Sequence, residues 1–391
     1  MPSPAEDRPG LLIRDSFRYS DVILIIPPQL VPLLEFFDGE HTESDLRAAL
    51  FRATGELDVG PLIAHLTNTL SGSGFLENEQ FEQLKEARHN EFASMAVREP
   101  AHAGSAYPTE LPELETTMKT WMDGALPAHA GDSLAGIAAP HVSPCGGYES
   151  YRSAYRLLGP EYKDRTFVVL GTSHYGEPNR FGVTRKPYST PFGEAIPATD
   201  LTEELLRQAP EAITIEDYCH SFEHSIEFQV LFLQWMFGPR IRVLPILCGS
   251  FGESIYRGGV PENYGAVERF LGALGEIAAR ESDRLFWVLG IDMAHMGRRY
   301  GDEFTAIANE DGMLGVAARD RRRIDCVAAG DAAGFWQLMQ ENRDDLKWCG
   351  SSPLYTFLKV VPQARGSIEK YEQWNIDDSS VVSFAGLSFR R

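Results

Sequence analysis

Apolar residues along this chain recur at two spacings. Asp21–Ile26 is a short apolar run that predicts a strand, halted by Pro27-Pro28. From Gln29 to Phe37 the residues Leu30, Leu33, Leu34 and Phe37 repeat with helical period, and Asp38-Gly39 breaks the pattern. Thr42-Glu-Ser-Asp45 has the form of a capping box, opening a helix over Leu46–Ala53. A third helix, about Gly60–Leu70, carries Leu62, Ile63, Leu66 and Leu70 on one stripe; Ser71–Gly74 ends it and Phe75-Leu76 begins a short strand or wing. After a charged, helix-prone connector (Gln80–Arg98), helices are predicted at Leu111–Met122, Ser150–Leu158 and Thr202–Gln208. Strands are predicted at Leu134–Ala139, Thr166–Leu170, Val243–Leu247, Leu285–Leu289 and Val381–Leu387. The most strongly patterned helix is Ser221–Phe237, with Phe222, Ile226, Val230, Leu233 and Phe237 as its core stripe. Continuous apolar strands alternating with helices predict α/β layers, a sheet covered on both faces. The expected organisation is a small winged-helix-like α+β domain over residues 1–87, a linker over 88–99, and a large domain over 100–391.

Composition narrows the functional classes. Net charge is −20, which disfavours non-specific binding to nucleic acid or anionic lipid. Residues 1–87 alone hold 6 Lys+Arg against 15 Asp+Glu, the wrong sign for phosphate contacts despite a winged-helix pattern. The one dense basic run, Arg319 with Arg321–Arg323, reads as a solvated helix end or turn. Five cysteines (Cys145, Cys219, Cys248, Cys326, Cys349) with no C-x-x-C spacing argue against a disulfide framework and a structural zinc site. The N-terminus lacks a signal-peptide pattern and no apolar run is long enough to span a membrane, so the expectation is a cytoplasmic protein.

The chemistry lies in the histidines. Between positions 141 and 295 they occur only at His141, His174, His220, His224 and His295. His141, His174 and His295 follow predicted strands, and ligands in open α/β sheets bind outside the carboxyl ends of strands. His220 and His224 stand one turn apart at the start of the patterned helix, a metal-clamp spacing, though not the H-E-x-x-H of zinc proteases. Asp292 is a further ligand or the partner that fixes an imidazole tautomer. Two histidines with a carboxylate suit non-haem iron and three histidines suit hydrolytic zinc, so iron, copper and zinc stay open here.

Several motifs recur in order: Ala103–Pro108 (AGSAYP), Ala139-Pro-His141, Leu170–His174 (LGTSH), Thr190–Gly193 (TPFG), Glu223–Gln229 (EHSIEFQ), Gly290–His295 (GIDMAH), then Cys349-Gly350 with Pro353. Over about residues 100–390 this resembles the Memo family, in its prokaryotic form called AmmeMemoRadiSam system protein B. The resemblance implies a class III extradiol dioxygenase-like fold, a mixed α/β sheet with a metal-capable pocket. It implies His141 and His174 as metal ligands, His220 as an extra ligand, and His224 as acid/base, with Asp292 and His295 alongside. Animal members carry a cysteine where this chain has Ala294, so a third ligand must come from His220, Asp292 or His295. The implied activity is that of an iron or copper redox protein working with a radical SAM protein. The alternatives are a non-catalytic accessory protein and a metal-assisted hydrolase. Residues 1–87, with Phe36–Glu40 (FFDGE) and Gly74–Glu77 (GFLE), resemble PqqD-like domains, which implies peptide capture by strand addition.

Overall fold

The computed structural model describes residues 9–124 and 134–391. The N-terminal stretch read above for a targeting signal lies, apart from Pro9, outside the described residues. Among the described residues no helix is long and apolar enough to cross a membrane. The chain divides into two compact units, Met1–Ser94 and Met95–Arg391.

In the first unit, β1 (Leu11–Arg14) pairs antiparallel with β2 (Ile23–Ile26). Three helices follow: α1 (Glu43–Thr54), α2 (Gly60–Gly72) and α3 (Glu79–Ser94). The capping box forms as read: Thr42 Oγ1 accepts from the Asp45 amide, and the Asp45 carboxylate accepts from the Thr42 amide. Leu33, Leu46, Leu50, Ile63, Leu66 and Leu70 make the core. Two expectations give way to local chemistry. The helix expected at Gln29–Phe37 is a short 3₁₀ turn over Val31–Phe36. No strand forms at Phe75-Leu76; the Asn78 side chain caps Phe81 N and starts α3 instead. Residues 88–94 belong to that helix.

The second unit carries helices α4 (Leu111–Met122), α5 (Pro144–Tyr155), α6 (Thr199–Gln208), α7 (His224–Phe237), α8 (Gly252–Arg257), α9 (Gly265–Arg280), α10 (Asp311–Ala328), α11 (Ala332–Gln340) and α12 (Ser351–Val360). In chain order its strands are β3 (Leu134–Ala139), β4 (Thr166–Thr172), β5 (Phe181–Val183), β6 (Ser189–Thr190), β7 (Gly193–Glu194), β8 (Ile196–Pro197), β9 (Ile213–Ile215), β10 (Arg242–Cys248), β11 (Leu285–Gly290), β12 (His295–Gly297), β13 (Arg365–Asp377) and β14 (Ser380–Arg390). The main sheet runs β12-β14-β3-β11-β4-β10-β5-β9, with β13 on β14 and β8 on β10. Its centre, β3-β11-β4-β10, is parallel, while β14 joins β3 antiparallel, so the sheet is mixed.

Every residue of β3, β4 and β11 is buried, as a sheet covered on both faces requires. Val168, Leu170, Trp287 and Leu289 face one core with α9 and α12. The alternate residue Phe167 stacks on Phe237 of α7. Helix α7 is buried all round from Ser225 to Gln234, so its apolar stripe reports a central helix rather than a half-exposed one. Pairing of Gly290 with both Ala139 and Gly171 brings the carboxyl ends of β3, β11 and β4 level. A side chain on Gly171 would collide with Ser225 and Ile226, and one on Gly290 with the Ser225 carbonyl. These two glycines let α7 begin directly over the strand ends.

Candidate metal centre

Three adjacent strand ends deliver the site. His141 and Asp292 each lie two residues beyond β3 and β11, and His174 two beyond β4. His224 comes down on them as the first residue of α7. The rings of His141, His174 and His224 form a triangle with centroid separations of 5.0, 5.1 and 5.0 Å. One ring nitrogen from each lies within 4.8 Å of the others, a grouping able to hold a metal ion.

Hydrogen bonds fix how these rings present themselves. His141 Nδ1 donates to the Gly290 carbonyl (3.0 Å), which can only accept, leaving Nε2 with its lone pair. His174 Nδ1 donates to Glu223 Oε1 (2.9 Å), and the His174 amide to Glu223 Oε2 (2.9 Å). His224 Nδ1 lies 3.1 Å from Glu223 Oε1. One buried carboxylate therefore orients two of the three rings, the arrangement that carboxylates impose on ligating imidazoles. Burial works against the Glu223 charge, but His174 foremost, then His224, holds its carboxyl well below the usual range. Burial likewise opposes a charge on His174, yet Glu223 and Cys349 hold it well above an ordinary imidazole. Burial, helped by the neighbouring rings, pushes His141 well below 6.5, so it stays neutral.

Asp292 Oδ1 accepts from the His141 amide (2.9 Å), and Oδ2 lies 3.5 Å from His141 Nε2. Burial pushes its carboxyl up to about 7. His295 stands apart from the triangle; its Nδ1 bonds the Met293 and Lys347 carbonyls, its ring meets Tyr300 edge-on, and burial pushes it down to about 4.

His220 lies outside the triangle. It was expected as a ligand beside His224, but the group of three does not include it. Its Nδ1 instead meets the Tyr188 hydroxyl at 2.6 Å. The expected helix from Ser221 is interrupted: Tyr218–Ser221 is a 3₁₀ turn, and α7 starts only at His224. Arg98 sits at this break: its guanidinium takes the His220 carbonyl (2.7 Å) and the Glu223 carbonyl (2.8 Å). The His224 amide bonds Glu223 Oε1 (3.1 Å), the N-cap side chain of α7. His224, expected as acid/base, thus joins the triangle in His220's place.

Two contributors went unassigned from sequence. Glu223 opened the Glu223–Gln229 motif without being given a role. Cys349 stood in a quoted motif without a role, and its Sγ lies 3.2 Å from His141 Nε2. Gly350 beside it lies against the Asp292 carbonyl, where a side chain would not fit, so the two loops pack closely. A cavity of about 250 Å³ is bounded by His174 and Cys349, with Thr172, Ser173, Ser351 and Trp348 among its walls.

A family model described as Memo-like protein matches residues 98–388. Among similar proteins, a "MEMO1 family protein" of Aquifex aeolicus is 28% identical over 377 residues, covering 93% of this chain and 92% of its own length. A "MEMO1 family protein" of Methanosarcina mazei is 32% identical over 309 residues, covering 75% of this chain and 99% of its own. The "Protein memo-1 homolog" of Caenorhabditis elegans is 25% identical over 277 residues, covering 69% and 72% respectively.

Proposed function

The chain belongs to the Memo-like family, and from that premise we propose that it is a non-haem metal protein of redox or dioxygenase-like type, holding iron or copper and acting with a radical SAM system. The observation that carries this reading is the convergence of His141, His174 and His224 on one point. The donor set fits: each ring has its Nδ1 turned to a carbonyl or carboxylate, leaving Nε2 to bind, and imidazole suits iron, copper and zinc alike. The nearby Cys349 sulfur favours a softer ion over magnesium or calcium. Such an ion, when bound, supplies Lewis acidity and one-electron chemistry at its open positions. The protein's own groups do the rest. Glu223 orients two rings, and Asp292, with its carboxyl pushed to about 7, holds or releases a proton beside His141 near neutral pH. The cavity beside His174 and Cys349 gives a small substrate its room.

Metal analysis of anaerobically purified, untagged protein tests this, comparing wild type with the His141→Ala/His174→Ala double variant. Near-stoichiometric iron or copper in the wild type, lost in the variant, is expected. Zinc would move the assignment to metal-assisted hydrolysis, and no transition metal in either protein would overturn it.

A second reading concerns the first unit, as a module that captures a peptide or the radical SAM partner. Its support is that the Methanosarcina relative is covered over 99% of its length by 75% of this chain, whereas the Aquifex match takes in 93% of the chain. The Methanosarcina match thus leaves about a quarter of this chain uncovered, which accords with a separate smaller unit. A cavity of about 320 Å³ within it, walled by Phe36, Phe37, His41, Leu46 and Ile63, offers an apolar seat. Removing residues 1–94 should abolish binding of the purified radical SAM partner in a titration while leaving the metal content of the remainder unchanged. Unchanged partner binding would reject the module's role.

A further inference from the structure

We propose that Asp320 is a positioning residue for the metal centre, fixing the Cys349 loop against the loop that carries Asp292 and His295. The proposal rests on the metal reading above. Asp320 projects from α10 and is fully buried. Its Oδ1 accepts from Trp348 Nε1 (2.7 Å), and its Oδ2 from the Tyr371 hydroxyl (2.7 Å) and the Ser383 hydroxyl (2.6 Å). The three donors come from three places: the residue before Cys349, strand β13 and strand β14.

Two of those bonds lead straight to the site. Ser383 Oγ also accepts from the Ala294 amide (2.9 Å), and the Ser383 backbone exchanges bonds with Met293 N (2.8 Å) and Ala294 O (2.9 Å). One hydroxyl therefore couples the Asp320 carboxylate to the segment between Asp292 and His295. Trp348 is joined to Cys349 by a peptide bond, so fixing its indole fixes where the sulfur sits, 3.2 Å from His141 Nε2. Arg323, a turn further along α10, lies over the face of the same indole at 5.3 Å and pairs with Asp344, which accepts from the Trp348 amide (2.9 Å). The indole is thus held by its edge, its face and its backbone, all with the help of α10.

The chemistry of these bonds makes the carboxylate hard to replace. An indole N–H can only donate and an ionised carboxylate can only accept, so Trp348 Nε1 and the Ser383 hydroxyl, which also accepts from the Ala294 amide, both donate to Asp320. Both carboxylate oxygens must therefore accept. An asparagine has the same shape but one accepting oxygen, so its NH₂ would meet the Trp348 N–H on one side or, on the other, force the Ser383 and Tyr371 hydroxyls to turn their protons elsewhere. Filling the core is not enough; the site needs an acceptor on both sides.

Cobalt(II) titration of the full chain tests the assignment, reading affinity and the thiolate-to-cobalt absorption that reports Cys349 in the coordination sphere. In wild type the absorption should appear. In Asp320→Asn it should be lost, with affinity lowered roughly 10- to 100-fold, while the histidines still bind the ion. Trp348→Phe, which keeps the ring but removes the N–H, should lose the absorption too, and it carries the test if Asp320→Asn does not fold. Wild-type absorption and affinity retained in both variants would overturn the proposal, as would cobalt bound in wild type without the thiolate signal. If wild type binds no cobalt at all, the metal reading fails by itself. The clamp is then read in metal-free protein from the alkylation rate of Cys349 by iodoacetamide, followed by peptide mass spectrometry. Faster alkylation in Asp320→Asn supports it, and equal rates overturn it.

Discussion

Helix α7 begins between two buried carboxylates that differ in their partners. Glu227, one turn into the helix, meets the permanent charge of Arg98, accepts from the Ala101 and His102 amides (3.0 Å each), and takes the Tyr107 hydroxyl. Burial would raise its carboxyl, but Arg98 foremost brings it below the ordinary value. Glu223, just before the helix, meets two imidazoles and two backbone amides. A guanidinium cannot give up its charge in a protein, whereas an imidazole can give up its proton or bind a metal. The first carboxylate is a strut paired with a permanent charge; the second is paired with imidazoles, a residue type that can trade a proton for a cation. Four residues of sequence separate architecture from chemistry.

The comparison can be broken most forcefully at Arg98. Arg98→Ala leaves Glu227 buried and unpaired, and should cost about 3–5 kcal/mol in urea unfolding, as loss of one partner from a buried pair does. A loss below about 1 kcal/mol would mean that Glu227 is not the strut described. At the other carboxylate the effect should fall on binding. Glu223→Gln keeps the shape but accepts through one oxygen, and metal affinity, measured by chelator competition, should drop about 10- to 100-fold. Unaltered affinity with a large stability loss would make the two carboxylates alike. The finest discrimination uses His220, on the architectural side, which burial pushes down to about 3. Its unfolded form takes up a proton below about 6.5 while the folded form does not, so stability is complete above 6.5 and falls as pH drops toward 3. His220→Gln should flatten that acid slope by up to about 1.4 kcal/mol per pH unit in chemical unfolding between pH 6 and 4. An unchanged slope would place the acid sensitivity elsewhere.

What could be read from the sequence follows from how local its causes are. Leu134–Ala139 and Leu111–Met122 coincide with β3 and α4, because a buried run and an amphipathic stripe are local signals. His141, His174 and Asp292 were legible as a site because strand ends present them. The place of His224 rather than His220 in the triangle was not legible, since the guanidinium that holds the two carbonyls at the break comes from 122 and 125 residues earlier. Strand β13 was missed for a different reason: Arg365–Asp377 is half exposed and carries Glu369, Lys370 and Glu372, so it lacks the apolar run that marked the central strands. Cys349 reaches His141 across 208 residues, and no spacing rule connects them.

The bond between Arg98 and Glu227 also has a consequence for synthesis. The two residues are 129 positions apart. At roughly 5–20 residues per second, a ribosome takes on the order of ten seconds to deliver the carboxylate after the guanidinium. Through that interval Arg98 cannot be buried without a counter-charge, and the His220 and Glu223 carbonyls it holds in the finished protein are made only near its end. The segment that shapes the histidine cluster is therefore made early and set late. The first unit, which carries its own core, has that time to fold before the centre of the second is in place.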